Sequence, residues 1–231
     1  MREFLGEVGW KFAIITAEFQ FIRVRGLRTC MSEYTDRDFV DVDFSNGVFS
    51  EYDFSHCTFT RCRFRAARLE EIGTTGCQFI DCDFSGAQMN ASIHTRSAFT
   101  NCQFANANLF VSKFEECKMI GSDFAAANLD GITLIKGDWS YTNLRNSNLT
   151  KQSLRGIAFV EADLSQCKLE KADLRDADLT RARLGNAHLK GADLRGAVLG
   201  GIDFKSFDMK DVRIDAIQAV DFARSYGAKI Q

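Results

Sequence analysis

The chain has 231 residues and a formal net charge of −2. That is enough length for one large core and too even a charge balance to imply general affinity for nucleic acid. It holds 21 phenylalanines and no proline; a proline-free chain of this length implies a backbone whose amides are mostly in use as hydrogen-bond donors. No apolar stretch approaches the ~20 residues that span a membrane, and the apolar run at 12–17 is too short for a secretory signal core. A cytoplasmic location without a membrane partner is therefore expected.

In chain order, residues 1–30 come first and lack a convincing repeat. They mix Arg2, Lys11, Arg23, Arg25 and Arg28 with Glu3, Glu7 and Glu18, and only Phe19 and Val24 fall weakly into the frame that follows. Met31 is followed at once by SEYTDRDFVDVDFS, which runs in frame from Tyr34. The expectation is an upstream extension over 1–30, not native to the protein, with Met31 as the natural start; a degenerate first coil is the other reading.

From Phe39 onward every fifth residue is large and apolar: Phe39, Phe44, Phe49, Phe54, Phe59, Phe64, Leu69, and so on through Leu199, Phe204, Met209 and Ile214. Only Thr74 and His94 break this column, and no insertion shifts the frame. Two residues before each large one stands a small one, Cys57, Cys62, Ala67, Cys77 and Cys82 early, then an unbroken alanine column from Ala172 to Ala197. The residue just before the large one is often Asp or Asn. A period of two or of 3.6 cannot produce a strict five, since five helical steps of ~100° return to a different angle. A quintet that forms one side of a coil and then turns a corner can, with the large and small residues inward and the other three outward. Four sides would make a 20-residue coil stacked ~4.8 Å from the next. The period alone leaves the number of sides open.

The cleanest stretch, ADLRD-ADLTR-ARLGN-AHLKG-ADLRG (172–196), resembles the pentapeptide-repeat family. That resemblance implies an all-β right-handed quadrilateral β-helix, here about nine coils over 31–214 and ~43 Å long. After it, Asp215 can cap a helix with Ile217, Val220, Phe222 and Tyr226 as apolar members, and Gly227 can stop it. This 215–231 segment is expected to close the open end of the solenoid or to join two copies end to end.

Candidate chemistry reduces to architecture. Seven of the eight cysteines (57, 62, 77, 82, 102, 117 and 167) sit on the small inward position, spaced in multiples of five and without ligand spacing, so they are read as buried hydrophobes. His56 and His188 face outward. His94 lies twenty residues after Thr74, so the two stack, and the reading is a hydrogen-bonded core histidine. No nucleophile triad, carboxylate pair or phosphate loop stands out; neither catalysis nor a cofactor or metal is expected.

Charge is uneven along the chain. Residues 31–100 carry 11 acidic and 6 basic groups, 101–150 carry 5 and 4, and 151–231 carry 12 and 14. On one side, the position before the large residue reads Asp43, Arg63, Asp83, Gln103, Asp123, Asn143, Asp163, Arg183, Asp203. An Asp recurs every second coil, ~9.6 Å apart. The row has two readings: corner residues bonded to the local backbone, or a carboxylate row offered to a DNA-binding protein in place of DNA.

DFSGAQMNASIHTRSAFTNCQF (83–104) and VRIDAIQAVDFARSYGA (212–228), with the loop-free frame, resemble the Qnr and MfpA quinolone-resistance proteins, most closely the loop-free MfpA type. The resemblance implies a homodimer joined through the C-terminal ends and a surface that mimics DNA. It also implies binding to DNA gyrase, with topoisomerase IV a second candidate, so as to modulate supercoiling or protect the enzyme from fluoroquinolones, and no direct binding of nucleic acid. The Qnr proteins of Gram-negative origin carry loops that this chain lacks. A pentapeptide-repeat scaffold with a different protein partner is the alternative.

Overall fold

The computed structural model describes residues 33–230; the expectations for residues 1–30 lie outside the described residues. Backbone pairing is parallel throughout and always twenty residues apart, from Glu33 with Asp53 to Asp193 with Arg213. A fixed offset of four quintets makes each coil four-sided, and the span 34–213 holds nine of them. Column spacing gives the rise directly. Phe39, Phe59, Phe79 and Phe99 stack with centroids 4.8, 4.7 and 4.6 Å apart, and Phe44, Phe64, Phe84, Phe104 and Phe124 stack at 4.9, 4.8, 5.0 and 4.7 Å.

Two sides of the early coils are regular sheet. One holds β1 (Glu33–Thr35), β3 (Asp53–Ser55), β5 (Gly73–Thr75), β7 (Ile93–Thr95), β9 (Lys113–Glu115) and β10 (Thr133–Ile135) in that order; the other holds β2 (Asp38–Val40), β4 (Thr58–Thr60), β6 (Gln78–Ile80) and β8 (Ala98–Thr100). Elsewhere the ladder continues as single bridges. The difference has a local cause. Where Asp or Asn precedes the large residue, its side chain commonly accepts the amide two residues on, as Asp43 does from Ser45 and Asp178 from Thr180. No third residue of a strand makes that bond among the described residues, so the Asx bond and the three-residue strand exclude each other.

Every corner from Asp36 to Gly201 places its residue at positive φ, so the repeat selects Asp, Asn, Gly and flexible side chains there. Val111, at φ 53°, is the one β-branched residue in this group, and left-handed backbone costs such a residue about 1–2 kcal/mol.

The large positions are all buried from Phe44 to Phe204, and most small ones with them, while Gly47, Tyr52, Ala127, Gly137 and Gln152 are half-buried. The early core pairs Phe with Cys, and the late core pairs Leu with Ala. Trp139 joins them, packed edge-on to Phe114 and stacked 5.3 Å from Phe124. Its small partner is Gly137, where an added Cβ would lie 2.4 Å from the Cys117 carbonyl oxygen. The largest inward residue thus follows the smallest. Its Nε1 is the one buried side-chain nitrogen or oxygen without a partner among the described residues.

Thr74 and His94 stack as expected and are fully partnered. The Cys77 amide donates to Ser97 Oγ (3.2 Å), which lies 3.0 Å from Thr74 Oγ1, itself 2.8 Å from His94 Nδ1. On the other edge of the ring Nε2 lies 3.0 Å from Ser92 Oγ, which donates to Ser112 Oγ (3.1 Å), which donates to the Met89 carbonyl (2.7 Å). Each hydroxyl has one proton. Ser112 spends its own on Met89 and Ser92 spends its own on Ser112, so Nε2 must be the donor and Nδ1 the acceptor. Four hydrogen bonds therefore run one way, from Thr74 Oγ1 through the imidazole to the Met89 carbonyl, while Ser97, accepting from the Cys77 amide, holds its one proton within reach of both Thr74 Oγ1 and the Thr95 carbonyl (3.3 Å). Thr74 is shorter than the Phe the column otherwise carries, and a void of about 10 Å³ remains beside it, lined by Phe54, Phe79 and Phe99.

The C-terminal helix α1 (Ala216–Ser225) closes the last coil. Asp215 is its N-cap in a reciprocal capping box with Gln218, and Gly227 follows its end at φ 90°. The residue that seals the solenoid is Gln218, 5 % exposed. Its Nε2 donates to the Leu194 and Ala197 carbonyls at 2.6 and 2.7 Å, and Asp215 Oδ2 accepts the Gly196 amide at 2.9 Å. Side chains thus replace the coil that would come next.

Two outcomes test this account. Burial holds the His94 imidazole neutral down to about 3 against an ordinary 6.5. As pH falls below 6.5 the unfolded chain takes up a proton that the folded core refuses. Stability present above pH 6.5 is therefore lost toward pH 3, at about 1.4 kcal/mol per pH unit. Urea midpoints of the wild type should fall more steeply between pH 6.5 and 4 than those of His94→Leu; equal slopes would refute the buried neutral ring. Gln218→Leu leaves the buried Ala197 carbonyl unpaired and takes one of two donors from the Leu194 carbonyl, a loss of ~1–3 kcal/mol. Because each coil feels only its neighbours, hydrogen exchange should accelerate at the Leu194 and Arg213 amides and stay unchanged at Phe64.

Candidate functional site

The acidic row lies on one side of the solenoid in the order the period requires: Asp43 bridges to Arg63, then Asp83, Gln103, Asp123, Asn143, Asp163 and Arg183. Each predicted Asp turns one carboxylate oxygen inward along its own corner. Asp43, Asp83, Asp123, Asp163 and Asp203 accept the amides of Ser45, Ser85, Ala125, Ser165 and Lys205 at 2.9–3.0 Å. The second oxygen is commonly engaged too. Arg63 lies 3.3 Å from Asp43, Arg65 is 2.5 Å from Asp83, and Arg183 is 3.1 Å from Asp163. At Asp123, by contrast, Asn143 donates at 2.8 Å to the same oxygen that accepts the Ala125 amide. These contacts hold the Asp43 and Asp83 carboxyls below the ordinary carboxylate range; the Ser45 bonds lead at Asp43, and the Ser85 and Arg65 bonds outweigh partial burial at Asp83. The row is thus built from corner bonds, with arginine capping three of its five aspartates, from the next coil at Asp43 and Asp163 and from the preceding coil at Asp83, a pairing the column of letters hides.

Carboxylates without a cation within ion-pair distance gather in the first coils: Glu33, Asp36, Asp38, Glu51, Asp53, Glu71 and Asp81 have none among the described residues. The late coils carry the opposite excess. Lys151, Lys168, Lys171, Lys190 and Arg213 are unpaired there, while Arg175 and Arg195 clamp Asp173 and Asp193 through two bonds each.

The C-terminal end is the apolar site. Phe222 packs edge-on to Phe204 at 5.7 Å and lies 5.0 Å from Tyr226. Val220 is half-buried, while Ile217 is 79 % and Tyr226 58 % exposed. The helix therefore seats Phe222 on the solenoid and turns Ile217 and Tyr226 to solvent. Sequence reasoning missed Gln218; a polar residue at the third helical position after Asp215 was the available signal.

The cysteines carry no reactive geometry. All seven described thiols are buried and face backbone carbonyls, Cys117 Sγ donating to the His94 carbonyl at 3.3 Å. Burial pushes Cys77 and Cys117 up to about 11 and Cys167 to about 12. No cluster of three metal-ligating side chains occurs among the described residues, and no helix there is long and apolar enough to cross a membrane.

Comparison with known proteins agrees with this architecture. A trypsin-treated form of QnrB1, described as a plasmid-mediated fluoroquinolone resistance protein, superimposes with a TM-score of 0.76 at 22% identity, covering 87% of this chain and 100% of that one. Full-length QnrB1 gives 0.58 at 21% identity over 85% and 100%. At such identities the likeness is one of fold. No curated protein sequence matches the chain. The family model for pentapeptide repeats matches eight copies, over residues 38–72, 127–166, 157–196 and 172–211, together just over half the sequence. With its 20-residue ladder and inward large and small columns, the chain belongs to the pentapeptide-repeat family.

Proposed function

We propose that this chain is a cytoplasmic, non-catalytic interaction protein that binds DNA gyrase in place of DNA, with topoisomerase IV as a second candidate. In doing so it restrains supercoiling or protects the enzyme from fluoroquinolones. The observation that carries the reading is the shared solenoid with QnrB1, itself described as a fluoroquinolone resistance protein. Two features support it. Unpaired carboxylates crowd the first coils, where a DNA-binding groove lined with Lys and Arg would find phosphate-like charge. Exposed Ile217 and Tyr226 on the terminal helix suit pairing of two copies end to end, which would set the acidic coils at the two outer arms.

Arginine capping of the acidic row favours a second reading. If Asp43, Asp83 and Asp163 serve only their corners, the solenoid is a scaffold for a partner of different charge.

One substitution type separates these readings. Asn keeps the side-chain oxygen that accepts the corner amide and removes the charge. Asp83→Asn with Asp123→Asn should leave thermal stability nearly unchanged and weaken inhibition of gyrase supercoiling several-fold. Asp36→Asn, Asp38→Asn and Asp53→Asn together should do the same for the free carboxylates. Inhibition should also fall steeply as salt rises. If the wild-type protein leaves supercoiling and ciprofloxacin-induced cleavage untouched, the gyrase reading is wrong. If it inhibits and neither set of Asn variants matters, negative charge is not what gyrase reads.

A further inference from the structure

The corner column that runs Glu51, Glu71, Ala91, Val111, Gly131, Lys151, Lys171 differs from every other surface column. Its residues stack coil on coil: the amides of Glu71, Ala91 and Val111 donate to the next coil, and a Cβ on Gly131 would lie 2.9 Å from Val111 Cγ1. Glu51, Glu71, Lys151 and Lys171 are exposed and form no ion pair among the described residues. At the centre, Val111 keeps strained left-handed backbone while 46 % exposed, and the preceding Phe110 is 48 % exposed. Burial does not explain these two side chains, and the repeat disfavours a β-branched corner. Strain held at an exposed apolar residue is what a contact surface would retain.

The charges identify what would cover it. Glu71 and Lys151 lie two coils, ~10 Å, to either side of Val111, and Glu51 and Lys171 lie three coils, ~14 Å. We propose that this edge docks a second copy of the chain, antiparallel and side by side, about a two-fold axis at Val111. A half-turn about an axis in the plane of contact, perpendicular to the coils' stacking direction, reverses coil order and keeps each column opposite itself. It sets Glu51 against Lys171 and Glu71 against Lys151 of the second copy, with Phe110 and Val111 meeting their own counterparts. Both charge pairs occur twice, as an isologous contact requires.

Columns on the side before the corner agree, and the contact lies on that side, because on the side after it Lys113 would face its own counterpart and Asp53 would face Asp173. Around Phe110 the operation sets Glu70 against Thr150 and Asn90 against Asp130; around Asn108 it sets Arg68 against Asn148. No like charges meet on these columns. The same operation on the column through Gly121 would set Arg61 against Arg181 and Asp81 against Glu161. There the arginines already pair within the chain, Arg61 with Asp41 and Arg181 with Glu161. Self-complementarity therefore belongs to the Val111 edge and is not a general consequence of the repeat.

The test uses the full chain carrying Ile217→Asp, an exposed position whose charge disfavours association through the terminal helix. Sedimentation equilibrium should give a monomer–dimer balance that weakens with salt. Val111→Asn, which suits left-handed backbone, should raise the dissociation constant about tenfold without unfolding the chain. Glu71→Lys should abolish the dimer, and adding Lys151→Glu to the same chain should restore it. A chain that stays monomeric at the highest soluble concentration overturns the proposal, as does a dimer indifferent to Glu71→Lys or a double variant that fails to recover.

Discussion

The structure depends on one constraint: every coil hydrogen-bonds only to the coil before and the coil after, at an offset of twenty residues. Within a coil, a turn bond from the small residue's amide to the carbonyl of the large residue three before it recurs along the chain, as from Gly47 to Phe44 and from Ala197 to Leu194, and the ladder between coils carries most of the rest. A coil of this kind has no stability of its own. It gains stability by stacking, and any residue that disturbs the period would strand the amides of two neighbouring coils. Absence of proline follows directly, since a proline in the ladder would remove a donor and leave a carbonyl on the next coil unpaired.

Because the same constraint repeats, most of the fold was legible in the letters. A five-residue period with inward large and small columns leaves few architectures, and the stacking of Thr74 on His94 follows once the coil is taken as four-sided. The helix at 216–225 was legible through Asp215 and Gly227. What could not be read was direction and pairing between columns. Nothing in the column Asp43, Arg63, Asp83 tells that Arg63 reaches back to Asp43, or that Arg65, from the neighbouring column, reaches Asp83. Gln218 was hidden for a related reason: its partners, the Leu194 and Ala197 carbonyls, are backbone groups whose need for donors appears only when the last coil is built.

The polar pair in the core shows how a solenoid admits exceptions. Replacing two aromatic residues by Thr74 and His94 would leave buried donors and acceptors unsatisfied. Ser92, Ser97 and Ser112, which occupy small inward positions on two sides and two levels, supply the missing partners. An isolated histidine there would be strongly destabilising, whereas a chain anchored at both ends on backbone groups is not. Thr74, Ser92, His94, Ser97 and Ser112 therefore form one substitution unit, and exchanging any one alone breaks a connected series of bonds.

Surface charge obeys a different logic from the core. Inward positions are specified by volume, so Phe with Cys gives way to Leu with Ala across Trp139 while the ladder stays unchanged. Outward positions are free of that demand. A stacked column nevertheless brings residues within ~5 Å of their neighbours, so like charges repeated on every coil would repel. Alternation of Asp with Arg, Gln and Asn on the row through Asp43 relieves this repulsion. The Val111 column leaves it in place: Glu51 stacks one coil from Glu71 and Lys151 one coil from Lys171, with small or apolar residues between the two pairs. Alternation satisfies charge within one chain. Separation leaves it unsatisfied until another molecule arrives, and that is the physical distinction between a corner that only holds the solenoid together and one poised to meet a partner.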